Sequence, residues 1–279
     1  MSKQSIFIFT GANLDGAGCV WILNQLFSGS SITHKVTSET SLKEDINAFI
    51  KHHIDKYDKV FLCNVSRTDE ILRLLDNNKV TAFERSEICS CTELIYRYFS
   101  SQASKSLTDN QKILVKLISD FDSYQLKTKT SYDLNTLFYS MSGDRVAQFC
   151  KEFSQGYTGF SLIHKATLKY HTLRVKDIID NLECYSTTIT KKYKVVCCFS
   201  DYGVNDIADF LFKDCGADIA IIVNTPMKRV SFRANKTCDY DVSKLAVKLC
   251  DGGGREKTAA GKLTDKFLRF SSLFKQHEN

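Results

Sequence analysis

The feature that most constrains this chain is the regular exchange of short apolar runs and helical-period segments over its first 84 residues. Residues 5–9, SIFIF, read as a buried strand in which 6–9 are apolar without a break, and after a polar loop residues 16–27 carry Val20, Trp21, Leu23, Leu26 and Phe27 at helical spacing. A second strand is expected over 33–37, a helix over 42–54, a third strand over 60–63, a helix over 69–75 and a fourth strand over 80–83. Strands separated by helices of this length join through right-handed crossovers, so the reading is an α/β domain built on a largely parallel sheet.

From about residue 91 to 170 the strand signal disappears. Helical stretches at 92–100, 111–118, 132–139 and 145–153 follow one another as a helical cap or connector, which closes a first domain at 1–170. Strand-rich sequence returns at 185–189, 194–199, 219–223 and 229–232, interleaved with helices at 204–213 and 242–249 and closed by a helix expected over 257–274. This is a smaller, mixed α/β second domain at 180–279. The single proline, Pro226, falls in a turn between two of its strands.

Composition narrows the function classes. With 43% hydrophobic residues the chain can build two modest cores, while its longest apolar runs fall far short of the roughly 20 residues that span a bilayer, so no membrane partner is expected. The brief apolar start at 6–9 runs into a polar loop unlike a signal peptide, and a cytoplasmic location is expected. Eleven cysteines without a CxxC pair, several inside apolar segments, are expected to be buried, reduced thiols. His52 and His53, before the third strand, are expected at a solvated helix end, and Trp21 in the core. The net charge of +6 is concentrated: residues 226–279 hold 12 Lys and Arg against 6 Asp and Glu, a local basic surface suited to a phosphate-bearing partner.

The first strand, loop and helix read FTGANLDGAGCVWIL, which resembles the opening motif of the DHH phosphoesterase superfamily, Thr-His-x-Asp-Leu-Asp-Gly-x-Gly. Thr10, Leu14, Asp15, Gly16 and Gly18 match; the family's metal-binding histidine falls on Gly11 and its first aspartate on Asn13. VFLCNVSRTDEIL resembles the second motif, with Asn64 at the metal-bridging aspartate. VTAFERSEICSCTELIYRYF aligns with the segment that names the family, where Asp-His-His becomes Glu84, Arg85 and Ser86, and LVKLISDFDSYQL resembles the fourth motif and keeps its aspartate as Asp122. In the second domain, RVSFRANKTCDYDVSKLAVKLCDGGGREKTAAGKL resembles the family's associated substrate-binding domain, with Arg255 where the family has a histidine after the glycine triplet.

The resemblance implies two manganese or magnesium ions that activate a water and steady phosphoryl oxygens, and it assigns Gly11, Asn13, Asp15, Asn64, Glu84, Arg85, Ser86 and Asp122 to their positions. Gly11 offers no side chain, Asn13 and Asn64 offer neutral amides, and Arg85 offers a cation. Only Asp15, Glu84 and Asp122 remain as carboxylates, enough to hold one hard cation weakly. Without a metal, Asp15 reads as a loop or cap residue and Asp122 as a surface carboxylate.

The second set of expected site residues is Ser231, Arg233, Gly252, Gly253, Gly254 and Arg255. Three glycines ahead of a helix would let backbone N–H groups converge on an anion at the helix's positive end, and the two arginines would grip phosphate oxygens. The segment is not a P-loop, because Glu256 stands where its first glycine is required and Leu263 where it needs Ser or Thr. The leading expectation is a binder of a nucleotide or a short, linear or cyclic oligonucleotide in a cleft between the domains, with no cofactor and no catalytic residues. The alternatives are a manganese- or magnesium-dependent phosphodiesterase using Asp15, Glu84 and Asp122, and an interaction module for protein or longer nucleic acid.

Overall fold

The computed structural model describes residues 3–37, 41–65, 78–84, 86, 88–100, 106–123, 125 and 127–276. The helix expected over 69–75 lies outside them. The chain divides into two units, Met1–Leu168 and Lys169–Asn279. No helix among the described residues is long and apolar enough to cross a membrane.

The first unit holds β1 (Ser5–Thr10), α1 (Leu14–Leu26), β2 (Ser31–Val36), α2 (Leu42–His52), β3 (Lys59–Val65) and β4 (Val80–Glu84), followed by α3 (Cys91–Ser100), α4 (Asp109–Asp122), α5 (Lys129–Ser140) and α6 (Arg145–Glu152). Its four strands run in the order β2-β1-β3-β4 and every pairing is parallel. Alternate residues of β1 serve opposite faces. Ile6 and Ile8 join α1 and α3 to α6 in one core, whereas Phe7 and Phe9 pack with Val60 and Leu62 against Leu42, Ile46 and Phe49 of α2. Covering both faces is why β1 reads as an unbroken apolar run. Helix α1 is buried over ten consecutive residues, from Leu14 to Leu23, as a helix apolar on all sides must be. Trp21 is fully buried within it and donates from Nε1 to the Phe153 carbonyl at 2.7 Å. His52 and His53 are exposed at the end of α2, as expected.

The long helix α7 (Leu162–Asp180) leads into the second unit, with β5 (Cys184–Ile189), β6 (Tyr193–Phe199), α8 (Val204–Lys213), β7 (Ile219–Asn224), β8 (Arg229–Ala234), α9 (Ser243–Cys250), β9 (Gly253–Gly254), β10 (Thr258–Lys262), α10 (Asp265–Ser271) and β11 (Lys275–Gln276). The sheet runs β11-β5-β6-β7-β8-β10-β9, with β6 and β7 parallel and all other neighbours antiparallel. One face packs Ile219, Ile221 and Phe232 against α9 and α10; the other packs Val196, Cys198 and Ile222 against α8. Pro226 sits in the β7–β8 turn, as its sequence position requires.

Two expectations fail in the last fifth of the chain. The closing helix expected over 257–274 is a strand, β10, followed by the short helix α10, whose cap Thr264 accepts from Phe267 N at 3.2 Å. The Ala-Ala pair favours a helix locally, but the ladder that joins Ala259 to Phe232 and Ala260 to Ser231 overrides that preference. The glycine triplet also precedes no helix. It follows the C-terminal end of α9, turned by Asp251 in the left-handed conformation (φ 45°), and becomes edge strand β9. The positive helix end expected over the triplet is therefore absent.

Candidate functional site

Four of the positions singled out in the first unit meet where β1 and β3 end and α1 begins. Asn13 caps α1 by accepting from Gly16 N at 2.8 Å, and the same Oδ1 accepts from Asn64 Nδ2 at 2.8 Å. Asn64 reaches that position because the β3–β4 register shifts between Cys63 and Val65, leaving Asn64 in the left-handed conformation (φ 56°) that asparagine tolerates better than most residues. A Cβ built on Gly11 would stand 3.5 Å from Asn13 Oδ1 and 3.6 Å from Asn64 Nδ2, so Gly11 faces this amide pair.

Asp15 is buried in the first turn of α1 and serves a different helix from its own. Its Oδ2 accepts from Cys91 N at 2.9 Å, and its Oδ1 accepts from Thr92 N at 2.9 Å and Thr92 Oγ1 at 2.7 Å, so the carboxylate caps α3. It is a cap residue, one of the two roles expected for it, but the helix it caps is α3 and not its own. Burial raises its pKa to about 8, helped by the charges of Asp122 and Cys91 and opposed by the Thr92 hydrogen bonds. Asp122, half-buried at the end of α4, is an electrostatic neighbour of Asp15.

The three expected carboxylate ligands do not form a tight set. Among the described residues, the group of three or more metal-ligand side chains whose donor atoms lie within 4.8 Å of one another is Asp15, Cys19 and Cys91, without Glu84 or Asp122. Glu84 ends β4, half-buried, and Ser86 accepts from Ile88 N at 3.1 Å. Arg85 lies outside the described residues. Sequence reasoning passed over Cys19, Cys91 and Thr92; Cys19 follows Asp15 by four residues on one helical face, the only local signal available.

The second set is assembled by strand pairing. Ser231 pairs with Ala260, and Ala260 with Gly253, so these three form one row across β8, β10 and β9; Arg233 pairs with Thr258. Arg255 sits in the β9–β10 turn, closed by its N–H to the Thr258 carbonyl at 2.7 Å. Ser231 is buried. Arg233 donates from Nε to Asn205 Oδ1 at 3.0 Å and from Nη1 to the Phe232 carbonyl at 3.0 Å, which ties it to the first turn of α8, so the helix N-terminus beside this arginine belongs to α8. Asn205 carried no signal in the sequence. Two of the three glycines answer to packing: a Cβ on Gly252 would lie 2.2 Å from the Ala260 carbonyl oxygen and one on Gly254 2.4 Å from that of Thr258, whereas Gly253 has nothing within 4 Å.

No protein-family model matches the chain, and no curated protein matches it. Solved structures do. The chain is similar to a pGpG-specific phosphodiesterase, PggH, from Vibrio cholerae, with TM-score 0.58 and 10% identity over 97% of this chain and 96% of that one. It is similar to an exopolyphosphatase-related protein from Bacteroides fragilis, with TM-score 0.52 and 13% identity over 97% and 91%. RecJ from Thermus thermophilus, in complex with Mn2+, aligns with TM-score 0.50 and 9% identity over 96% of this chain and 51% of that one. These are DHH-superfamily folds, and the chain has a DHH-type fold.

Proposed function

We propose that this protein binds a nucleotide or short oligonucleotide without hydrolysing it by two-metal chemistry. The observation that carries the reading is the hydrogen bond from Asn64 Nδ2 to Asn13 Oδ1. Two close divalent ions need anionic donors between them to offset their mutual repulsion, and here a neutral amide donates to a neutral amide, beside a glycine that offers no ligand atom. Asp15, whose carboxylate accepts three hydrogen bonds from the start of α3, has too little acceptor capacity left to bridge two ions. This donor set does not fit a manganese or magnesium pair.

Support for a nucleotide ligand comes from the second unit. Ser231, Arg233 and the turn bearing Arg255 lie on neighbouring strands, and the chain's whole excess of basic residues falls within 226–279. Planar guanidinium groups and exposed backbone N–H groups of an edge strand recognise phosphate oxygens. The anion contacts on this reading come from the hairpin and the arginines, since no helix follows the glycines. PggH acts on the dinucleotide in its name, which makes linear and cyclic dinucleotides the first ligands to test.

The test is a panel of linear and cyclic di- and trinucleotides, with manganese or with chelator, followed for binding and for products. Binding that survives chelation, yields no products and weakens roughly tenfold in Arg255→Ala, as for loss of one charged hydrogen bond, is the expected result. Manganese-dependent products would overturn the non-hydrolytic reading, and failure of every nucleotide to bind would overturn the ligand.

A further inference from the structure

The thiols closest to Asp15 form a cluster that packing alone does not require. Asp15 and Cys19 stand four residues apart on α1, Cys91 opens α3, and the ligand atoms of all three lie within 4.8 Å of one another. Cys63 of β3 lies outside that tight group but is an electrostatic neighbour of Cys19 and Cys91. All four side chains are buried, with Asp15 1% exposed and Cys91 1%. None of the cysteines is in a disulfide.

Burial holds most of this cluster in its protonated form, with the Asp15 carboxyl pushed up to about 8 and the Cys19 and Cys63 thiols pushed well above their ordinary range, so a cation enters by displacing protons. The ionisable groups that act most strongly on these four residues are one another and Asp122, all of them acids. Cys91 Sγ accepts from the Asn64 amide at 3.2 Å and donates to the Phe83 carbonyl at 3.3 Å, a proton that a bound cation would displace. Asp15 accepts three hydrogen bonds, which leaves one of a carboxylate's roughly four acceptor positions for another partner. Thiolate donors select zinc and similar thiophilic ions over manganese and magnesium.

We propose that Asp15, Cys19 and Cys91, completed by Cys63, form a buried structural site for a thiophilic divalent cation, with zinc as its representative. The site joins α1, β3 and α3 beneath the Asn13–Asn64 amide pair, and its burial makes it a closed site in which metal stabilises the fold and does not present a water for catalysis.

Cobalt is the probe, because its thiolate complexes absorb through sulfur-to-metal charge transfer and zinc replaces it silently. Reduced, metal-free full-length protein is titrated with cobalt and then with zinc or manganese. The expected result is one cobalt per chain with a charge-transfer band, bleached by zinc and unaffected by manganese, and lost in Cys91→Ser and in Cys19→Ser. Folded wild-type protein that takes up no cobalt, or a band that persists in both variants, would overturn the proposal. Should the variants fail to fold, the wild-type protein decides alone: zinc retained through dialysis and a raised melting temperature support the site, and no retention and no shift refute it.

Discussion

Truncating Asn13 to alanine tests the amide pair directly. The substitution removes the cap on α1, an N-terminal side-chain bond of 2.8 Å, worth about 1 kcal/mol. It also removes one acceptor of the Asn64 amide, a residue only 3% exposed. An orphaned buried donor costs about 1–3 kcal/mol, and the lower end applies because Asn13 is half-buried and water can enter where it stood. The expected total is about 2 kcal/mol. Trp21, the only tryptophan, is fully buried in the first unit, so its fluorescence during urea unfolding reports on that unit even if the second melts separately. A cycle with Asn64→Ala should give a coupling energy of about 1 kcal/mol, as for side chains in direct contact. A loss below about 0.5 kcal/mol in Asn13→Ala, or strict additivity in the double variant, would refute the reasoning, since solvent would then be satisfying both amides.

Three further outcomes follow from other parts of the structure. Burial tends to raise the Asp120 carboxyl, but Ser131 Oγ and the amides of Lys127 and Thr128 outweigh it and hold the group below its ordinary 3.8. Its stabilising contribution is therefore present above about pH 4 and lost on acidification, and Asp120→Asn should flatten the acid side of a stability-against-pH curve; an unchanged acid limb would count against this cap. Gly252→Ala drives a Cβ to 2.2 Å from the Ala260 carbonyl oxygen and should cost about 2 kcal/mol or more in chemical denaturation, whereas Gly253→Ala should stay within about 0.5 kcal/mol. Equal effects of the two would contradict the β9–β10 packing. Trp21→Phe removes the bond to the Phe153 carbonyl and should lower the melting temperature through about 1–2 kcal/mol of lost stability; an unchanged melting temperature would show that water replaces it.

The parallel sheet was legible because its signal is local. Residues 6–9 and 60–63 are apolar without interruption, which is what a strand covered on both faces demands. The end of the chain was not, because Thr258–Lys262 becomes a strand through pairing with Arg229–Ala234, a partner some thirty residues away. Aligned motifs singled out Gly11, Asn13, Asp15 and Asn64, yet residue type alone did not reveal that the two amides would bond to each other. The thiol cluster left still less trace: Cys19 and Cys91 come from two helices far apart in the chain, and only the fold brings them together with Asp15. Asn205 was silent for the same reason, since its role exists only through Arg233 on β8.

The cap that Asp15 places on α3 fixes an order of assembly. Its hydrogen bonds span 76 and 77 residues of chain. Helix α3 has a local cap in Ser90, whose Oγ accepts from Glu93 N at 3.1 Å, but its Cys91 and Thr92 amides reach Asp15 only once α1 has formed and the loop between them has closed, and closing so long a loop is an entropic barrier met before the reward arrives. Helix α4, by contrast, carries its own capping box in Thr108 and Gln111 and can nucleate unaided. Within the first unit, α4 should gain protection early in refolding and α3 late.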